Sequence, residues 1–139
     1  MIVYPAAGMT WQATVLKVHD GDTVTLDVDL AQKLRAHDRD LGFHIRIESN
    51  RLHLHNPTRL YGINAPELIT ATGKAAQEAL AAQCPIGSMV TLTTWHDQAD
   101  KYGRLLGRIV LGGVDLNQSM VDGGYAAVYY GQGPKPVPA

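Results

Sequence analysis

Three short stretches hold the residues best suited to chemistry: "DGDT" (20–23), "RLYGINAPE" (59–67) and "DKYGR" (100–104). In the second, the amide of Asn64 and the carboxylate of Glu67 stand where a strand-like run, Leu60-Tyr61-Gly62-Ile63, leaves its sheet, with Arg59 at its start. Pro66 fixes its own φ and biases Ala65 toward extended geometry, so the corner is rigid. A rigid corner bearing carboxylate, amide and carbonyl oxygens offers what a hard cation takes as ligands. Arg59 and Arg104 add planar forks of N–H donors that hold oxyanions in pairs and stay charged at every relevant pH. Each stretch falls at a strand end or in a loop, where a scaffold presents its site residues. Alone, each also reads as ordinary: a hairpin turn, an exposed loop, a carboxylate preceding a helix and interacting with its dipole. The functional reading rests on their occurring together.

The elements that must position them follow from the hydrophobic pattern. "WQATVLKVH" (11–19) and "DTVTLDVDL" (22–30) flank Asp20-Gly21, a tight-turn signal, and read as paired strands. In the second, Val24, Leu26, Val28 and Leu30 share one face, with Thr23, Thr25, Asp27 and Asp29 on the other. A charged, histidine-rich excursion follows (31–58), in which "FHIRIE" and "RLHLH" alternate and are expected to pair as a hairpin across Ser49-Asn50. "TATGKAAQEALAAQC" reads as a helix with Ala76, Ala79, Leu80 and Gln83 along one face, stopped by Pro85. "SMVTLTTW" (88–95) and "RLLGRIVL" (104–111) are two further strands joined by the polar loop "HDQADKYG". Gly112-Gly113 makes a turn, and "LNQSMVDGG" (116–124) a short helix that Gly123-Gly124 ends. About five short strands with a helix inserted after the third, joined by tight turns, fit a small closed barrel better than a sandwich or a parallel sheet.

With 139 residues, the chain suits one domain with a real core, expected to span 1–139 with its core over about 11–130 and a flexible Pro/Gly-rich tail at 131–139. A formal net charge of −1 means that attraction to a polyanion must come from a local patch. Cys84, the single cysteine, excludes an intrachain disulfide and a Cys-rich metal cluster, and its place at a helix end suits a small buried residue. No apolar run approaches the roughly 20 residues that cross a bilayer. The opening "MIVYPAAGMTW" lacks the basic region of a signal peptide. As it stands the chain reads as cytoplasmic; a leader removed from before residue 1 would make it secreted instead.

Together, in this order and at these spacings, the three stretches resemble the staphylococcal-nuclease (thermonuclease-like) family across roughly residues 12–130, with the linking strands and both helices also in place. The resemblance implies an α+β, mainly β fold: a five-stranded OB-fold barrel with two or three short helices and an extended hairpin insertion after the second strand. It implies a Ca²⁺-dependent nuclease acting on DNA, RNA or both, with single strands favoured, no membrane and no obligate protein partner. By position, Asp22 is a carboxylate ligand of Ca²⁺ and Ala65 a backbone carbonyl ligand, with Asp20 in support. Glu67 orients or deprotonates the attacking water, Arg59 and Arg104 clamp the phosphate, and Lys101, Tyr102 and Tyr130 flank the nucleotide. Asn64 departs from the pattern: the family usually has aspartate there as the second carboxylate ligand. An amide oxygen still coordinates Ca²⁺ but brings no charge, so metal affinity should be weakened. Ala65 also lacks the hydroxyl common at its position.

A second reading keeps the barrel and weakens the site, leaving a module that binds single-stranded nucleic acid or a protein partner, since one fold hosts both roles. The joint presence of Asp22, Arg59, Glu67 and Arg104 favours the enzyme. Between residues 31 and 59 six basic residues face three acidic ones, a net +3, which suits a basic flap tracking a nucleic-acid backbone and equally a solvated hairpin. His53 and His55 alternate onto one strand face, with His37 and His44 upstream; a zinc site there requires ligands that converge.

Overall fold

The computed structural model describes residues 1–30, 53–99, 104–136 and 138. Its centre is a closed barrel of five strands: β1 (Met9–Val18), β2 (Thr23–Asp29), β3 (His53–Leu60), β5 (Met89–Ala99) and β6 (Leu105–Leu111). They lie in the order β3-β2-β1-β5-β6, and β3 pairs with β6 to close the ring. All neighbours are antiparallel except that closing pair, which is parallel and sets Thr58 against Leu105, Arg59 against Leu106 and Leu60 against Gly107. This is the OB-fold barrel expected from the sequence. Short strands β4 (Ile63–Asn64) and β8 (Ala127–Val128) pair with each other, and β7 (Val114–Asp115) returns along β6. Two helices, α1 (Ala71–Gln83) and α2 (Leu116–Asp122), complete the described residues. None is long and apolar enough to cross a membrane.

The alternating pattern of β2 turns Val24, Leu26 and Val28 into the core, while Thr25, Asp27 and Asp29 are partly exposed. In β1 the alternation slips. A register shift between Val15 and Lys17 resets the phase, so that Val15 and Val18, three apart, both point inward. Helix α1 starts at Thr70, whose hydroxyl accepts from the Gly73 N–H, and buries Gly73, Ala76 and Leu80. Cys84 follows as its C-cap, fully buried, and Pro85 prevents continuation. The core also takes in Ile2, which is 5% exposed and reaches it from outside the strands.

Three local expectations are corrected. The run Leu60–Ile63 is not one strand: β3 ends at Leu60, and Tyr61-Gly62 form a turn in which Gly62 has φ +82°, a left-handed conformation that breaks the ladder before β4. Asp20-Gly21 are not a two-residue hairpin turn; residues 19–22 form a four-residue loop closed by His19 N–H donating to the Thr23 carbonyl at 2.9 Å. Residues 53–58 belong to β3, paired with β2 from Asp29–His53 to Thr23–Arg59, and 96–99 extend β5, because both runs have a neighbouring strand to pair with. The hairpin partner "FHIRIE" and the loop residues 100–103 lie outside the described residues.

The Tyr61 turn is anchored from behind by Asn117, which is fully buried in α2. Its amide donates to the carbonyls of Tyr61 and Gly107, each at 2.9 Å, and accepts from the Ile109 N–H at 3.1 Å. One side chain thus satisfies three backbone groups, two of them buried, and ties the corner carrying Asn64 to β6.

Candidate functional site

Every sequence-selected residue near the corner depends on how closely the 19–22 loop can approach it. Asp20 shapes that loop by accepting from the Asp22 N–H at 3.0 Å. Gly21 then lies against Ala65 and α1: a Cβ there would stand 2.7 Å from the Cβ atoms of both Ala65 and Ala76. Only glycine permits this approach, and it delivers Asp22 into the corner.

Asp22 is 4% exposed and fully engaged. Its carbonyl accepts from the Leu60 N–H at 2.7 Å, Oδ2 from the Ala65 N–H at 2.8 Å, and Oδ1 from the Thr23 hydroxyl at 3.1 Å. Burial pushes its carboxyl up to about 6. The Arg59 guanidinium opposes that rise, the neighbouring Asp20 carboxylate adds to it, and the Ala65 N–H opposes it.

Arg59 lies on β3 directly opposite Thr23 in the register, one residue from the strand end. Its Nη2 stands 3.6 Å from Asp22 Oδ2 and donates to the Ile63 carbonyl at 3.3 Å and to Asn64 Oδ1 at 3.2 Å. Asn64 is 8% exposed, on β4. Arg104 immediately precedes β6, so barrel closure brings it to the same end as Arg59. Its Nη1 donates to the Thr23 hydroxyl at 3.5 Å, which in turn donates to Asp22.

The structure therefore gathers Asp20, Asp22, Arg59, Asn64 and Ala65 into one hydrogen-bonded corner, with Arg104 joined through Thr23. Glu67 lies three residues past Asn64 and is exposed, its carbonyl held by Thr70. Tyr130 packs on the turn before Asn64: its ring is 5.8 Å from that of Tyr61, and its hydroxyl accepts from the Val3 N–H at 2.9 Å. Lys101 and Tyr102 lie outside the described residues. Thr23 was given no role from the sequence; its hydroxyl is the bridge between carboxylate and arginine. The signal was the residue closing "DGDT", the one side chain of that stretch able both to donate and to accept.

Among the described residues no three His, Cys, Asp or Glu side chains converge as a metal cluster. Of the histidines in the zinc expectation, His37 and His44 lie outside the described residues and the His53 side chain is not described, while His55 is exposed with Nε2 3.6 Å from Asp27 Oδ1. The donors at the corner are of another kind: one buried carboxylate, one amide oxygen and the backbone. All are hard oxygens, and a carboxylate destabilised by burial favours a cation. That donor set fits Ca²⁺, with less negative charge than a pair of carboxylates would give.

No curated protein sequence matches this chain. A family model described as "Staphylococcal nuclease homologue" matches residues 57–137, taking in Arg59, Asn64, Ala65, Glu67, Arg104 and Tyr130, while Asp20 and Asp22 fall upstream of the matched stretch. The match spans more than half of the chain and agrees with the closed five-stranded barrel, and the protein belongs to the staphylococcal nuclease homologue family.

Proposed function

We propose that the protein is a Ca²⁺-dependent nuclease hydrolysing phosphodiester bonds of DNA, RNA or both. The observation that carries this reading is the linkage of Asp22 with Arg59 directly and with Arg104 through Thr23, at one end of the barrel. Asp22, Asn64 and the Ala65 carbonyl would hold the cation. Bound Ca²⁺ supplies Lewis-acid polarisation of the phosphate and offsets its charge. Arg59 and Arg104 donate N–H groups to the phosphoryl oxygens, where negative charge grows in the transition state. Glu67 accepts a proton from water as its oxygen bonds to phosphorus; the P–O bond to the leaving alkoxide breaks, and that oxygen takes a proton from solvent. Lys101, Tyr102 and Tyr130 flank the nucleotide in this reading.

The test is digestion of single-stranded DNA and RNA with Ca²⁺ present or chelated, using Glu67→Gln as control. Cleavage that requires Ca²⁺ and collapses in the control is expected. Binding without cleavage would establish the second reading, a nucleic-acid-binding barrel. Two features favour that alternative: Asn64 brings no charge, and Arg59 already contacts the corner.

Restoring the charge gives a graded check. Asn64→Asp should tighten Ca²⁺ binding by about tenfold, a fraction of the about 4 kcal/mol that two unit charges exchange at 4 Å near a protein surface. The gain is reduced because Arg59, now 3.2 Å from the Asn64 oxygen, would pair with the new carboxylate. Calorimetric titration of both forms measures it. Unchanged affinity would mean that the corner does not face the cation.

A further inference from the structure

The Glu67 carbonyl is gripped from the start of α1. Thr70 donates to it twice, through N–H at 3.0 Å and through its hydroxyl at 2.7 Å. The same hydroxyl accepts from the Gly73 N–H at 3.0 Å, so one side chain caps the helix and pins Glu67 at once. Gly73 lies directly against this grip. A Cβ on Gly73 would overlap the Glu67 carbonyl oxygen, stand 2.5 Å from its carbon and lie 3.0 Å from the Leu68 nitrogen.

Glycine is an unfavourable choice here on helical grounds. It occupies the third helical position, where alanine or glutamate is normally better, and it is the poorest helix former after proline. Space explains the choice: any side chain would push the 67–68 backbone away from the helix. Gly73 itself is buried, whereas residues 67–70 are exposed, so the exposed segment is the part that can yield.

We propose that Gly73 and Thr70 are positioning residues for Glu67, fixing its backbone against α1 so that its carboxylate is presented at the corner formed by Asp22 and Arg59. The inference rests on the nuclease reading and assigns a catalytic consequence to residues that touch neither substrate nor cation. Helix α1 is then the common reference for both halves of the site: Ala76 abuts Gly21, which carries Asp22, and three positions earlier Gly73 abuts Glu67.

The experiment is single-turnover and steady-state hydrolysis of single-stranded DNA by Gly73→Ala, Thr70→Val and Thr70→Ser, each also in a Glu67→Gln background. Misplacing a reacting group by about 1 Å costs on the order of 10²-fold. Gly73→Ala should therefore lower kcat by about 10–10²-fold, with KM and Ca²⁺ affinity within about twofold. Thr70→Val should lose kcat and Thr70→Ser, which keeps the hydroxyl, should retain it. In the Glu67→Gln background neither Gly73→Ala nor Thr70→Val should lower the residual rate further, because the group they misplace is already gone. Equal losses in both backgrounds, or an unchanged kcat, would overturn the proposal. Should Gly73→Ala fail to fold, the two Thr70 variants decide. A wild type that cleaves nothing would refute the nuclease reading instead. The grip itself is then read from the Glu67 carbonyl ¹³C shift and the exchange rate of the Thr70 N–H, and identical values in wild type and Thr70→Val would overturn it.

Discussion

Replacing Arg59 or Arg104 by alanine is expected to lower turnover by about 10²–10³-fold, the usual cost of losing one preorganised donor to developing charge. Arg108→Ala should change it by less than about threefold. Arg108 is the appropriate control because it lies on β6 only four positions after Arg104 and is committed elsewhere. Its Nε is 3.0 Å from Asp115 Oδ2, and its guanidinium lies 5.0 Å from the Tyr4 ring centroid. Its removal touches stability, modestly for a partly exposed ion pair. The two clamps should differ in one respect. Arg59 opposes the rise in the Asp22 carboxyl, so Arg59→Ala also leaves Asp22 more protonated near neutrality. Part of the Arg59→Ala loss should therefore be recovered as pH is raised, whereas the Arg104→Ala loss should be flat across the same range. Rate profiles at saturating substrate and limiting Ca²⁺, where protonation of Asp22 competes with the cation, make the comparison. Equal losses from Arg104→Ala and Arg108→Ala would reduce the clamp to general positive charge.

Asp22→Asn should make the metal-free protein more stable at pH 7, by up to about 3 kcal/mol at 1.4 kcal/mol per pKa unit. The carboxyl is raised from 3.8 to about 6, mainly by burial. A raised carboxyl favours the protonated folded state, so the stability it supplies is fully present below 3.8 and is lost as pH climbs through about 6. The wild type should thus weaken relative to the variant between about pH 4 and 7, and the two should converge in acid. Urea unfolding in chelator at several pH values measures this. Adding Ca²⁺ should reverse the order, because only the wild type then gains stability by binding. Parallel pH profiles for the two proteins would show that Asp22 is not under strain in the folded chain.

The sequence was informative where a local rule operates. Alternation placed the inner face of β2, helical spacing found the Ala76–Leu80 stripe of α1, and Pro85 and Gly112-Gly113 marked real ends. It failed where pairing over long range decided the outcome. Residues 53–58 looked like part of a charged excursion because their alternation is polar; β2 alongside makes them a strand. Ile2 showed no periodicity at all, yet its N–H donates to Gln118 at the other end of the chain and its side chain enters the core. At the site, residue types and order were legible, with roles supplied by family resemblance. The burial of Asp22 and the Thr23 bridge were not legible, since both exist only once the 19–22 loop is pressed against Ala65 and β6 has arrived beside β3.

The parallel closure of β3 on β6 also bears on the order in which the polar corner can assemble. Thr58 and Leu105 stand 105 − 58 = 47 residues apart with α1 and β5 between them, against 59 − 23 = 36 for Thr23 and Arg59, so by loop closure the seam is expected to form after the β2–β3 pairing. Asp22 and Arg59 are joined by the β2–β3 pairing alone, whereas Arg104 arrives with the seam. A half-made barrel would therefore hold a carboxylate and one arginine without the second clamp, and would be inert. Under the proposed function, cleavage would then report completed folding. Refolding followed by fluorescence and by turnover together would reveal it, the return of cleavage coinciding with the slowest phase.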